Sequence, residues 1–243
     1  MKRQAVVFDL DGTLLDTLDD LADSGNRVLS ELGLPTHPVD AYKYFVGDGI
    51  GILIRRMLPE DRHDEQTIAE ATRTYRREYG RRWNAKTKPY DGTKTLLDEL
   101  TARGVKKAVL SNKPDEFTRR CVEELLGRWT FDVVLGHHDG IPRKPDPAGA
   151  REVVAKLKIP PAEIAYLGDT ATDMQTAVAA GMFPVGALWG FRKEEELREG
   201  GAEVLIRHPT ELLNIVGPRA GPQHGAEKQG GSLPADGRLH TAD

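Results

Sequence analysis

Thiols, long apolar runs and an excess of positive charge are all scarce in this chain, and each scarcity excludes a class of protein. One of its 243 residues is a cysteine, Cys121, so no disulfide forms within the chain and nothing calls for an oxidising compartment. No segment approaches the roughly 20 apolar residues of a membrane-spanning helix. The opening MKRQAVVFDLDG is apolar only until Asp9 interrupts it, short of the hydrophobic stretch of a secretory signal. Lys and Arg number 34 against 38 Asp and Glu, a net charge of −4, which argues against the strongly basic face of a nucleic-acid binder. The expectation is a soluble, cytoplasmic protein with neither nucleic acid nor membrane as partner, either a monomer or a homodimer. What the chain does contain, 39% apolar residues and 25 glycines, is enough for a full core in one large or two smaller domains.

Short apolar runs at 5–8, 105–110, 131–135, 164–167, 184–188 and 204–206 are closed by Gly, Asp, Ser or Asn and read as buried strands. Between the later ones lie helical periods such as Phe117, Cys121, Val122, Leu125 and Leu126. Strand alternating with helix predicts an α/β fold with a doubly wound parallel sheet, in which ligands bind beyond the carboxyl ends of the strands. Residues 16–84 break the alternation: no strand is evident, a stripe of Leu18, Leu21, Val28, Leu29 and Leu32 ends at Gly33, and further helices are expected over 39–45, 50–58 and 61–82. They read as a helical insertion between the two parts of an α/β core, 1–15 and 85–216. In 217–243, nine of 27 residues are Gly or Pro and large apolar residues are almost absent, so a disordered tail is expected.

Aspartates gather at the expected strand ends, Asp9 and Asp11 after the first run and Asp169 and Asp173 after the run 164–167. Four carboxylates converging in one crevice cannot all ionise without a cation, and an all-oxygen ligand set suits magnesium better than zinc. Ser111, Asn112 and Lys113 close the run 105–110, and Lys144 follows the run 131–135. A hydroxyl, backbone amides and lysines can hold the oxygens of a transferring phosphoryl group. One carboxylate of the Asp9 and Asp11 pair can then attack phosphorus while the other serves as acid and base.

These residues resemble a known family. Asp9-Leu-Asp11-Gly12-Thr13, Ser111-Asn112-Lys113, Lys144-Pro145 and Gly168-Asp169-Thr170-Ala171-Thr172-Asp173 are similar, in order and position, to the four motifs of the haloacid dehalogenase superfamily. Phe45-Val-Gly-Asp-Gly, Ser111-Asn-Lys-Pro and Trp189-Gly190-Phe191 resemble its phosphoglycolate phosphatase group, and the likeness covers about residues 4–215. The resemblance implies a Rossmann-like core with an α-helical cap over 16–84, and a magnesium-dependent phosphatase of small phosphomonoesters, 2-phosphoglycolate first among them. It makes Asp9 the nucleophile, Asp11 the acid/base and donor of a backbone carbonyl to the metal, and Asp169 and Asp173 further metal ligands. Ser111 and Lys144 would complete the catalytic set, with Thr13, Asn112, Lys113, Gly47 and Asp48 as substrate contacts. A phosphatase of another small metabolite or of pyrophosphate, a phosphomutase, and a non-catalytic magnesium or phospho-ligand binder are the alternatives.

Other conspicuous residues receive plainer readings. His137 and His138 read as part of a solvated loop, and Cys121, on the apolar stripe of its helix, as a buried structural thiol. Arg73, Arg76, Arg77, Arg81 and Arg82 form a basic helix face that is either solvated or able to steer an anion.

Overall fold

Val6 and Phe8 leave the first strand on one side, Ala5 and Val7 on the other, and all four are fully buried. A strand apolar on both faces belongs in the middle of a sheet covered on both sides. The computed structural model, which describes residues 2–217, has this form. In chain order its strands are β1 (Ala5–Phe8), β2 (Leu15–Asp16), β3 (Lys88–Pro89), β4 (Lys106–Pro114), β5 (Val133–His137), β6 (Ile164–Gly168), β7 (Phe183–Ala187) and β8 (Val204–Ile206). The helices are α1 (Leu18–Glu31), α2 (Tyr42–Phe45), α3 (Ile50–Met57), α4 (Glu65–Arg82), α5 (Thr93–Ala102), α6 (Asp115–Leu126), α7 (Ala148–Leu157), α8 (Ala171–Ala179) and α9 (Glu194–Glu199). Six strands form one parallel sheet in the order β5-β4-β1-β6-β7-β8, with β1 paired to β4 (Ala5↔Lys106) and to β6 (Ala5↔Ile164).

Alternate residues of the sheet feed separate cores. Val6, Phe8, Val109 and Leu167 pack in the cluster that includes Leu96, Leu100 and Cys121 from α5 and α6. Ala5, Val7, Ala108 and Tyr166 pack in the cluster that includes Ala150, Val153 and Ala177 from α7 and α8. All six expected strands are present; β1 and β8 match at both ends, and the ends of the other four shift by at most four residues. The chain order reverses beside β1, whose neighbours β4 and β6 come from different parts of the sequence, and such a switch point opens a crevice at the strands' carboxyl ends.

The stretch from α1 to α4 is helical, with α1 and α3 packed against α4. Three details depart from the sequence reading. Asp16 lies in a strand after all, because Leu15–Asp16 pairs antiparallel with Lys88–Pro89. The helix expected over 61–82 starts only at Glu65, where the Asp64 side chain accepts from Thr67 N at 2.8 Å and so caps it; Glu60–Arg62 is a separate 3₁₀ turn. The helix expected over 39–45 likewise divides, into a 3₁₀ turn at Val39–Ala41 and α2. Asp20, on the buried face of α1, accepts from the amides of Lys86 and Thr87 and from Thr87 Oγ1 at 2.7–3.1 Å, binding the outgoing chain to the returning one beside the β2–β3 pair. The tail expected over 217–243 lies, apart from Gly217, outside the described residues.

Candidate active site

Asp9 follows β1 directly, and its amide donates to Leu167 O at 2.9 Å, so the middle of the sheet fixes its backbone. Its Oδ1 accepts from Lys144 Nζ at 2.8 Å, and the same ammonium reaches Asp173 Oδ1 at 2.6 Å and Leu110 O at 3.2 Å. Asp9, Asp169 and Asp173 each offer an oxygen within 4.8 Å of the others, and all three are buried. The three-carboxylate group thus holds one ammonium, which pairs with Asp9 and Asp173. Burial first, then repulsion from Asp173, pushes the Asp9 carboxyl up to about 7. Burial and the Asp9 charge carry Asp169 well above the usual carboxylate range. Burial alone would lower Lys144, but Asp173 and Asp9 hold it well above the ordinary lysine value. A hard divalent cation would supply the missing positive charge, and the donors, carboxylate oxygens without His or Cys, fit one.

Each carboxylate is also aimed by neighbours. Asp169 accepts from Thr13 Oγ1 at 2.9 Å and Phe191 N at 2.7 Å. Asp173 accepts from Thr170 N and Oγ1 at 3.1 and 2.7 Å in a capping box that opens α8. Gly12 takes φ 86°, and a Cβ there would run into the Asp169 carboxylate, so the turn after Asp11 has room for glycine only.

The expected convergence of four bare carboxylates is therefore corrected on two points. Asp11 lies outside the three-carboxylate group, and lysines pair with three of the four, Lys144 with Asp9 and Asp173 and Lys113 with Asp11. Lys113 Nζ meets Asp11 Oδ1 and Oδ2 at 2.9 and 3.1 Å, and it donates at 2.7 Å to Tyr79 Oη on α4. The Lys113 amide reaches Ser111 Oγ at 3.3 Å, and Ser111 lines the cavity between sheet edge and helices.

Of the residues the motifs placed near substrate, Asn112, Lys113 and Gly47 line the cavity while Thr13 and Asp48 do not, and several also bond to the scaffold. Asn112 braces Lys144, its Oδ1 accepting from Lys144 N at 2.9 Å while its Nδ2 donates to Lys144 O at 3.1 Å and to Gly47 O at 3.0 Å. Gly47 and Gly49, at φ 113° and 90°, form the turn that enters α3, and both line the cavity. Asp48 between them pairs with Arg56 at 2.6 Å and is absent from the described lining. Thr13 reaches Asp169, as above, and is likewise absent from it.

The cavity measures about 60 Å3, room for roughly two waters at about 30 Å3 each. Its floor holds Asp9, Asp11, Ser111, Lys113 and Lys144; its helical wall holds Leu21, Val46, Ile50, Leu53, Tyr75 and Tyr79. Tyr75 and Tyr79 were missed by sequence reasoning because aromatics four apart on a helix look the same whether they face a core or a ligand. Thr170 and Phe191 also line it, and only the Trp189-Gly190-Phe191 likeness drew attention to the latter.

Outside the cavity, Cys121 is fully buried and burial pushes its thiol up to about 11. Neither His137 nor His138 belongs to the carboxylate group. Within the basic face of α4, Arg77 pairs with Glu31 and Glu78 at 2.8 and 3.0 Å.

A parallel sheet with a helical excursion after its first strand, and a lysine-held aspartate at that strand's end, define a Rossmann-like α/β enzyme fold with its candidate site at the carboxyl edge of the sheet. The chain belongs to the haloacid dehalogenase-like hydrolases, whose family model matches residues 6–187. Within that family it is a phosphatase, a phosphoric monoester hydrolase. It is 32% identical over 206 residues to a phosphoglycolate phosphatase of Psychrobacter arcticus, covering 82% of this chain and 89% of that one. It is 34% identical over 192 residues to a phosphoglycolate phosphatase of Neisseria meningitidis, covering 77% and 81%. Among solved structures, one from Lactobacillus delbrueckii subsp. bulgaricus superposes with TM-score 0.83 at 30% identity, over 89% of this chain and 100% of that one. In the described residues no helix is long and apolar enough to cross a membrane.

Proposed function

We propose that the chain is a magnesium-dependent phosphatase that hydrolyses 2-phosphoglycolate to glycolate and phosphate through an aspartyl-phosphate on Asp9. The observation that carries the chemistry is the grip of Lys144 on Asp9 at 2.8 Å at the cavity floor, which leaves the second carboxylate oxygen free of protein donors among the described residues. The substrate reading rests on the relatives' names.

Asp9 Oδ2 attacks phosphorus as the bond to the ester oxygen breaks, and Asp11 passes a proton to the departing oxygen. Asp11 then takes a proton from water, whose oxygen attacks the same phosphorus; the bond to Asp9 breaks and phosphate leaves. Lys144 and the Ser111 hydroxyl stabilise the charge that gathers on the phosphoryl oxygens, with Lys144 also fixing the attack angle of Asp9. Asp9, Asp169, Asp173 and the Asp11 backbone carbonyl would hold the magnesium, with Thr13 and Thr170 orienting two of them. Bound there, the ion would neutralise the carboxylates and polarise the phosphoryl group. Residues 16–84 act as a cap over a core of 1–15 and 85–216, closing the reaction off from bulk water.

The test is phosphate release from 2-phosphoglycolate, pyrophosphate, sugar phosphates and nucleotides, with and without magnesium, by wild type and Asp9→Asn. The expected result is a metal-dependent kcat/KM highest for 2-phosphoglycolate and a loss of roughly 10^4-fold or more in the variant. A higher kcat/KM for another ester would reassign the substrate, and near-normal turnover by Asp9→Asn would remove the nucleophile.

A further inference from the structure

Two tyrosines on α4 stand side by side over the cavity. Tyr75 and Tyr79 are four residues apart, their ring centroids 5.9 Å apart and their planes 8° from parallel. Tyr75 is 1% exposed and lines the cavity, yet its Oη has no hydrogen-bond partner among the described residues. Tyr79 Oη accepts from Lys113 Nζ at 2.7 Å, and its own proton meets no acceptor among those residues. Burial pushes both phenols above their ordinary range, so each keeps its proton at neutral pH. A buried hydroxyl left without a partner is costly, and native proteins rarely leave one without a reason. The neighbouring wall of Leu21, Val46, Ile50 and Leu53 offers nothing to bond with.

The unmet demand is all of one kind. Two O–H donors lack an acceptor beside the Lys113 ammonium, which Asp11 already holds, and the group that answers donors without bringing any of its own is a carboxylate. We propose that Tyr75, with Tyr79 and Lys113, forms a subsite for the carboxylate of the substrate's leaving half, selecting small phosphomonoesters that bear an acid group over those that do not. The inference deepens the phosphoglycolate reading and rests on it. It makes Tyr75 a specificity residue: the floor carries out the transfer on any ester that fits, and α4 tests what the ester is attached to.

The experiment compares kcat/KM for 2-phosphoglycolate and for ethyl phosphate, which has the same carbon count and no carboxylate, in wild type and Tyr75→Phe with magnesium present. A hydrogen bond to a charged group is lost, so the phosphoglycolate-to-ethyl-phosphate ratio is expected to fall about 10- to 100-fold, chiefly through KM. Wild-type preference for phosphoglycolate that survives intact in Tyr75→Phe overturns the subsite and leaves the phosphoglycolate reading standing. A wild type that does not prefer phosphoglycolate over ethyl phosphate overturns both. Independently of any variant, glycolate is expected to inhibit the wild type competitively and ethylene glycol far more weakly; equal inhibition by the two would also overturn the subsite.

Discussion

The floor and the wall of the cavity follow opposite rules. On the floor every charged group has a designated partner within 2.6–3.1 Å, Lys144 to Asp9 and Asp173, Lys113 to Asp11, Thr13 to Asp169. On the wall the residues are mostly apolar, and one hydroxyl, Tyr75 Oη, has no partner among the described residues. The difference separates two tasks. Moving a phosphoryl group needs fixed charges placed to a few tenths of an ångström, and strand ends in a packed sheet supply them. Telling one small ester from another needs a surface that can be exchanged without disturbing those charges, and a helical excursion outside the sheet provides it.

Removing the floor's central cation should break the contrast most severely. Lys144→Met leaves two buried carboxylates uncompensated, so a loss of about 3–5 kcal/mol in metal-free stability is expected in denaturant melts, together with roughly a 10^2- to 10^3-fold fall in kcat. A variant as stable as wild type would show that the floor does not depend on this pairing. The pH dependence probes the same strain without mutation. Folded Asp9 keeps its proton up to about pH 7, the unfolded chain only to about pH 4, so between those values the folded state binds more protons. Metal-free stability should therefore fall as pH rises from about 4 to about 7, with about 4 kcal/mol the upper limit of the Asp9 contribution and raised Asp169 acting in the same direction, and magnesium should flatten the slope. A rise in stability over that window would contradict the raised Asp9.

Finer changes sharpen the contrast. Thr13→Val removes the hydroxyl that orients Asp169, and about a 10-fold weaker magnesium activation constant is expected, with little change in KM for the ester at saturating metal. The smallest effect is expected from Asp48→Ala, because that carboxylate pairs with half-exposed Arg56 at 2.6 Å instead of facing substrate. Its kcat/KM should stay within about threefold of wild type, as surface pairs contribute little; a larger loss would return Asp48 to the cavity.

The contrast also explains what could be read from the sequence. Asp9, Ser111, Lys144 and Asp169 follow short apolar runs closed by polar residues, a pattern that marks both the strand and its functional end. The β2–β3 pair could not be seen, because a ladder of two residues has no periodicity. Asp20 could not be assigned, because its value lies in amides 66 and 67 residues away. Lys113 stood in a recognisable motif, but its grip on Asp11 and Tyr79 depends on how α4 lies across the sheet edge. Tyr75 and Tyr79 carried the right periodicity for a core and were indistinguishable from one.

The central place of β1 sets an order of events during synthesis. Ala5–Phe8 leaves the ribosome first, but one flank waits for Lys106 and the other for Ile164. At about 5–20 residues per second, some 10–30 s pass before the second partner is made. Until Lys106–Pro114 is made the nascent chain carries an apolar strand with both edges open, and for the rest of the interval one edge still waits; there is no site, since Asp9 gains its fixed position only once Leu167 has arrived to receive its amide. A fragment released before that point would hold the first motif intact and be unable to use it.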